Sequence, residues 1–377
     1  MHTGKLPDSP AALLPFRRWK IRWGSIAFLG LIHAVALVGT PWYIATHAVS
    51  TAEWAIFGIY TLATGFSITV GYHRLFAHAA FRARAPVRFL VLFFGAAGFQ
   101  QSALKWASLH RRHHQLVDTP ADPYNIKQGF WYAHMGWILF WKHVIDYANV
   151  QDLMGDRLAV YQHRHYQSWA IGGGVITPLA AGWAIGHPMG TVMLAIALRM
   201  VLVFHVTFFI NSFAHTFGSA HYDYHSSGRD HWLAALLTNG EGYHNYHHRF
   251  PSDYRNGIRW YNWDPSKWLI WTLAQIGLAS HLRRIPVFRI LDARLDTDLA
   301  RAGADPFVEK DQAAAALMQS EHAALVRQAQ AWKTLHETKR PTRSAERLFK
   351  EAHRSFARRW LNGPQSAEKT FQRSNAG

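Results

Sequence analysis

Apolar and polar residues alternate along this chain in long blocks rather than short strands. GSIAFLGLIHAVALVGTPWYIAT (24–46) is the first apolar block, preceded by the basic FRRWKIRW. WAIFGIYTLATGFSITVGY (54–72) is the second, WAIGGGVITPLAAGWAIG (169–186) the third and TVMLAIALRMVLVFHVTFFINSF (191–213) the fourth. Each approaches or exceeds the roughly 20 residues that span a hydrocarbon core. The pattern predicts an all-α integral membrane protein whose four transmembrane helices form two hairpins. The connections near 47–53 (HAVSTAE) and 187–190 (HPMG) contain no Lys or Arg, whereas 73–168 holds many. The positive-inside bias then puts both termini and 73–168 on the cytoplasmic side, of a bacterial inner membrane. A shorter apolar run, 87–104, follows basic residues and reads as interfacial or re-entrant. Arg199, inside the fourth block, needs a partner or a cavity.

Beyond about residue 290 the pattern changes. Residues 308–362 are rich in Ala, Glu, Arg and Lys at helical spacing. They read as a basic amphipathic helix, either a solvated tail or a membrane-surface anchor. The last dozen residues read as disordered. The expected division is a cytosolic segment over 1–23, a membrane domain over 24–290 and a basic, mostly helical cytosolic tail over 291–377.

Composition narrows the chemistry. The formal net charge of +17 suits an anionic surface, and the apolar blocks favour membrane over nucleic acid. With no cysteine, disulfides, thiolate zinc sites, iron–sulfur clusters and cysteine nucleophiles are excluded. Any metal falls to His, Asp, Glu or backbone oxygen.

Histidine supplies the candidate ligands. His73 and His78 follow the second block; His110, His113 and His114 form one HxxHH; His244, His247 and His248 form another. His215 lies four residues after Asn211, so the two share a helix face. In a helix His110 and His114 point the same way, while His113 and His114 diverge by about 100°. Adjacent imidazoles therefore suit two neighbouring ions better than one, and two such clusters predict a dinuclear centre. Nine histidines over two metals give four or five ligands each, leaving an exchangeable position. Imidazole suits zinc, copper, iron and nickel; open positions without thiolate are compatible with iron that activates dioxygen. The other histidines, including His33, His134, His205 and His231, read as structural. Asp122-Pro123 and Asp264-Pro265 read as turns. Glu241, between two glycines, reads as structural, with a role behind a ligating histidine open.

HRLFAH, HRRHH and GEGYHNYHH, in this order, resemble the histidine boxes of membrane-bound fatty acyl desaturases, most of all the acyl-CoA delta-9 (stearoyl-CoA) type. The likeness covers roughly 20–285 and includes TPADPYN, HMGWILFWKH and NSFAHTFG. It implies four transmembrane helices, a cytosolic cap and two irons. Their ligands would be His73, His78, His110, His113, His114, His215, His244, His247 and His248, with Asn211 joining through water. The implied reaction uses dioxygen to remove two hydrogens from adjacent methylenes, leaving a cis double bond. Unactivated C–H bonds are beyond side-chain acids and bases, so the cofactor carries the chemistry. Two electrons come from a separate donor protein, such as ferredoxin, rubredoxin or a cytochrome with its reductase, docking on the basic face.

The resemblance also implies a bent tunnel for the acyl chain, with Trp106 and Thr207 near its kink and Thr61 and Gly65 near its far end. A small Thr61 admits a longer chain or leaves closure to another side chain. Ser108 and Trp141 stand where animal acyl-CoA enzymes carry arginines for the headgroup, and only Lys142 remains. Acyl-CoA is the expected substrate; an acyl-lipid desaturase, a hydroxylase of the same superfamily and, more distantly, a non-enzymatic metal transporter are the alternatives.

Overall fold

A computed structural model describes residues 20–141, 145–304, 306–340 and 342–361. Among the described residues the chain is helical, with two minimal antiparallel strand pairs and two isolated bridges. β1 (Lys20–Ile21) pairs with β3 (Phe140–Trp141), and β2 (Arg82–Ala83) with β4 (Ala279–Ser280). The expected N-terminal segment lies outside the described residues up to 19, as do Lys142 and the stretch expected to be disordered.

Among the described residues, three helices are long and apolar enough to cross a membrane: α1 (Trp23–Thr46), α2 (Thr51–Ala77) and, later in the chain, Pro188–His215. Ser50 starts α2 with a reciprocal cap. Its hydroxyl accepts the Glu53 backbone N–H at 3.3 Å, and the Glu53 carboxylate accepts the Ser50 N–H at 2.8 Å. That carboxylate is buried and also accepts from the Tyr43 hydroxyl at 2.8 Å. The end of α1 and the start of α2 are thereby pinned together.

Helix α3 (Ala85–Ala96) is the shorter apolar run, and α4 (Ala103–Leu116) follows it. The third predicted block is helical over 166–184 (α5). It is not among the three long apolar helices. Gly173 and Gly174 let its backbone approach Phe93 and Phe99: a Cβ on Gly174 would stand 2.5 Å from the Phe99 ring. The residues that permit this contact also dilute its apolar content.

In α6 (Pro188–His215), Arg199 is fully buried. Its guanidinium donates to the carbonyls of Ala195 (2.6 Å), Ala97 (2.8 Å) and Gly174 (3.1 Å) and to Thr64 Oγ1 (3.2 Å). The expected partner is therefore backbone rather than carboxylate. Ala97 lies at the end of α3, where helix carbonyls lack a partner within the helix, and an arginine fork satisfies several carbonyls at once.

After the short α7 (His244–Arg249) and α8 (Pro265–Gln275), α9 (Val287–Gly303), α10 (Gln312–Glu337) and α11 (Arg343–Trp360) form a bundle with its own core. Leu295, Met318, Leu325, Phe349, Phe356 and Trp360 fill it. Phe349, Phe356 and Trp360 turn an apolar face of α11 to this core. α9 packs Ile290 and Ala293 against Tyr246 and Phe250, and Leu295 and Ala302 into the bundle.

Candidate metal centre

Local backbone geometry aligns the histidines. His73 lies in a π-helical stretch over Ser67–Ala77, and the His78 N–H donates to the His73 carbonyl at 3.1 Å. A five-residue spacing would diverge on an α-helix; the wider turn brings both imidazoles to one side. On α4, His110 and His114 share a face, and on α7 so do His244 and His248.

The nine imidazoles meet in two groups. His73, His78, His110, His114 and His247 form one; His113, His215, His244 and His248 form the other. Within each group the ligand nitrogens lie within 4.8 Å of one another. Each HxxHH is divided between the groups: the i, i+4 pair goes to one and the remaining histidine to the other. In the first group Nε2 atoms face each other at 2.9 Å (His73–His247, His78–His110), 3.0 Å (His247–His114) and 3.1 Å (His110–His114). In the second, His244 Nε2 lies 2.9 Å from His215 Nε2 and 3.0 Å from His248 Nε2.

The far sides of three rings are held. His73 Nδ1 lies 2.8 Å from the Glu241 carboxylate, His113 Nδ1 2.8 Å from Asp122 Oδ1, and His215 Nδ1 2.7 Å from Ser227 Oγ. Glu241 and Asp122 only accept, so in His73 and His113 Nδ1 carries the proton and the Nε2 lone pair turns inward. Among the described residues, His113 Nε2 is buried with no hydrogen-bond partner. Converging lone pairs, one of them unsatisfied, and proton-bearing outer nitrogens are the donor set of a cation site. The residues therefore fit two metal ions.

Electrostatics agree. Burial, then the neighbouring imidazoles, push His110, His114, His247 and His248 well below the ordinary 6.5, and His244 to about 3. Neutral imidazoles are the ligating form. Burial alone would raise the Glu241 carboxyl, but Arg74 and His73 overcome it and hold the group at about 2. Glu241 also accepts from Arg74 at 2.9 Å and from Asn256 at 2.6 Å. Sequence reading missed the contact of Asp122 with His113 because Asp-Pro looks like a turn. The role behind a ligating histidine that the sequence left open for Glu241 falls on His73.

A cavity opens beside the histidines, with about 1160 Å³ of empty space, part of it open to solvent. His73, His110, His244, Glu241 and Asn211 line it at the metal side, and Arg22 and Lys105 line it too. Trp106 and Thr207 both line it. Gln100 Nε2 donates to Thr207 Oγ1 at 2.8 Å, a wall contact that no sequence pattern announced. Thr61 and Gly65 are not among the lining residues. Thr61 bonds the Phe57 carbonyl of its own helix at 2.7 Å, and Gly65 faces Asn239. Ser108 is buried and donates to the Asp146 carbonyl at 2.6 Å, bracing a loop rather than meeting a headgroup.

Comparison with known proteins decides the family. Residues 52–279 match the sequence model of the family described as Fatty acid desaturase. The chain belongs to the fatty acid desaturase family. It is 42% identical over 266 residues to the "Probable acyl-CoA desaturase" of Schizosaccharomyces pombe, covering 68% of this chain and 55% of that protein. It is 37% identical over 280 residues to "Acyl-CoA desaturase 1" of Saccharomyces cerevisiae, covering 72% and 55%. It is 33% identical over 285 residues to "Stearoyl-CoA desaturase 5" of Homo sapiens, covering 74% and 85%. The chain thus spans about half the length of the two yeast relatives. All nine histidines lie inside the segment matched to the desaturase family.

Proposed function

We propose that this protein is a di-iron fatty acyl desaturase that uses dioxygen to place a cis double bond in a saturated acyl chain, at delta-9 of an acyl-CoA. The observation that carries the reading is the meeting of nine inward-facing imidazoles, in groups of five and four, with an apolar cavity. The names of the relatives support the substrate.

His73, His78, His110, His114 and His247 would hold one iron; His113, His215, His244 and His248 would hold the other, with Asn211 joining through water. When bound, the iron pair supplies the oxidising power that breaks unactivated C–H bonds using dioxygen and two electrons. The protein's own residues do the rest. Glu241, Asp122 and Ser227 fix tautomer and ring orientation. Trp106 and the Thr207–Gln100 contact shape the wall that presents two adjacent methylenes to the metal side. The apolar lining excludes water, which confines the oxidant to the substrate. Arg22 and Lys105 give the cavity a cationic rim that suits an anionic or polar headgroup. Electrons come from a donor protein drawn to the basic face. Helix α5 completes a four-helix membrane domain whose metal side faces the cytoplasm.

The test is expression in a host that makes no unsaturated fatty acids, followed by locating the new double bond in its lipids by mass spectrometry. A double bond nine carbons from the carboxyl end is expected. An alcohol in its place would assign the protein to hydroxylation, and unmodified lipid from an iron-loaded, electron-supplied protein would overturn the reading.

A further inference from the structure

Along α6 the lining runs from Asn211 at the metal side to Phe204, about two turns deeper, where α1 faces the cavity. From α1 come Ser25, Phe28 and Leu29, at the i, i+3 and i+4 spacing of one face; from α6 comes Phe204. Three rings meet there. Phe28 and Phe99 have centroids 5.8 Å apart, and Phe28 and Phe204 meet edge-on at 6.4 Å. Phe204 stacks in turn on Phe208 at 5.7 Å.

This floor is rigid for reasons local to this chain. Phe99 adopts φ of +54°, a left-handed conformation that a bulky residue takes only when its surroundings hold it. Gly174 provides the hold, because its missing Cβ leaves the space that the Phe99 ring occupies.

Beneath the floor, α1 and α6 are clasped. His33, one turn after Leu29, donates from Nδ1 to the Leu29 carbonyl at 2.7 Å, and its Nε2 lies 3.0 Å from His205 Nε2. His205, next to Phe204, also meets His134 at 2.9 Å, and His134 meets Ser212 Oγ at 2.9 Å. Water is scarce at this depth, so these polar groups satisfy one another and fix the helix spacing. The chain of contacts also seats residues 130–139, whose Trp137 and Ile138 line the cavity.

The route towards Thr61 is closed by a different group. Ile68 of α2 lines the cavity. Thr64, one turn further from the histidines, receives the Arg199 guanidinium, which also reaches Ala97 and Gly174. Thr61 is a turn beyond that.

Building on the desaturase reading above, we propose that the acyl-chain length accepted beyond the metal centre is set by the Phe28–Phe99–Phe204 floor on its His33–His205 clasp, and not at Thr61. The terminal methyl of the longest good substrate abuts these rings. A longer chain must displace a ring from its rotamer, whereas trimming a ring makes room for added methylenes.

The experiment compares the full-length wild type with Phe204→Ala, Phe28→Ala and Thr61→Phe, supplied with saturated acyl chains of graded length. The ratio of product from an over-long chain to product from the preferred chain is expected to rise about tenfold in each phenylalanine variant, equivalent to ~1.4 kcal/mol. Thr61→Phe is expected to leave the length limit in place. An unchanged ratio in both phenylalanine variants, or a shortened limit in Thr61→Phe, overturns the proposal. Thermal stabilisation of the purified proteins by the same saturated chains reads the length limit without turnover. A limit that stays put in both phenylalanine variants there also overturns it. A limit that moves as expected in proteins making no double bond overturns the desaturase reading alone.

Discussion

Replacing Glu241 by glutamine separates the charge of this buried group from its shape. Its oxygens serve His73 Nδ1 (2.8 Å), Arg74 (2.9 Å) and Asn256 (2.6 Å). An amide offers one acceptor where the carboxylate offers two, and it cannot balance a guanidinium. Arg74 keeps Asp264 at 2.9 Å, so only part of its counter-charge goes. Breaking a buried ion pair from one side costs about 3–5 kcal/mol, and the surviving partner places this case near ~3 kcal/mol. Loss of the group behind a ligating histidine lowers metal affinity roughly 10–100-fold, or about 1.4–2.8 kcal/mol. The loss should fall on the five-histidine group, because Glu241 touches His73. Asp122→Asn should spare that group and weaken the other, through His113. Titrating iron-loaded protein with a chelator and counting retained metal measures both. Glu241→Gln should release one equivalent at about a tenth of the wild-type chelator concentration or less while holding the second. Wild-type retention of both equivalents, or joint release in both variants, would refute the division of labour.

His247→Ala should lose metal from the five-histidine group, and activity with it. His231→Ala should keep both and lose only a helix cap to the Leu233 N–H, about 1 kcal/mol in thermal unfolding. Arg199→Met should leave the Ala97 and Gly174 carbonyls without their donor, at about 1–3 kcal/mol each, read as a lowered midpoint that Arg199→Lys only partly restores. The metal-free protein should lose stability in acid. His110, His114, His247 and His248 stay neutral when folded but titrate near 6.5 when unfolded. Below that pH the unfolded chain binds more protons, so stability falls by up to about 1.4 kcal/mol per pH unit for each histidine. An unfolding midpoint that stays level or rises from pH about 7 to about 5 would contradict this.

Helical periodicity made part of the division of the histidines accessible in the sequence. The i, i+4 pairs His110–His114 and His244–His248 share a face, but which group His113 and His247 join was open in the sequence; the structure puts each in the group opposite its neighbours. The His73–His78 pair was less legible, because its alignment depends on a π turn that hydrophobic patterning does not reveal. Asp122 escaped because Asp-Pro reads as a turn, and Glu241 could be offered only as an open reading because a residue behind a ligand is recognised by what it touches, here a histidine 168 positions away. Thr61 shows the limit of correspondence between sequences. It stands on the expected helix but does not line the cavity, whereas Phe28, Phe99 and Phe204, from other elements, do. The use of Gly173 and Gly174, accommodating Phe93 and Phe99, is a tertiary fact that the third block's composition does not show.

His73 and His247 are 174 positions apart in the chain, and His114 and His247 are 133 apart. A metal held among them is therefore a staple. In a chain without cysteine, it closes loops that no disulfide can close, and closing one of this length costs an unfolded chain roughly 4–5 kcal/mol of conformational entropy. Neither staple can be set until residue 248 has been made and folded back onto α2 and α4. Metal supply would then govern how long the finished protein survives as well as how fast it works, since without it the chain is held across these positions only by packing and by ion pairs such as Arg74 with Glu241 and Asp264.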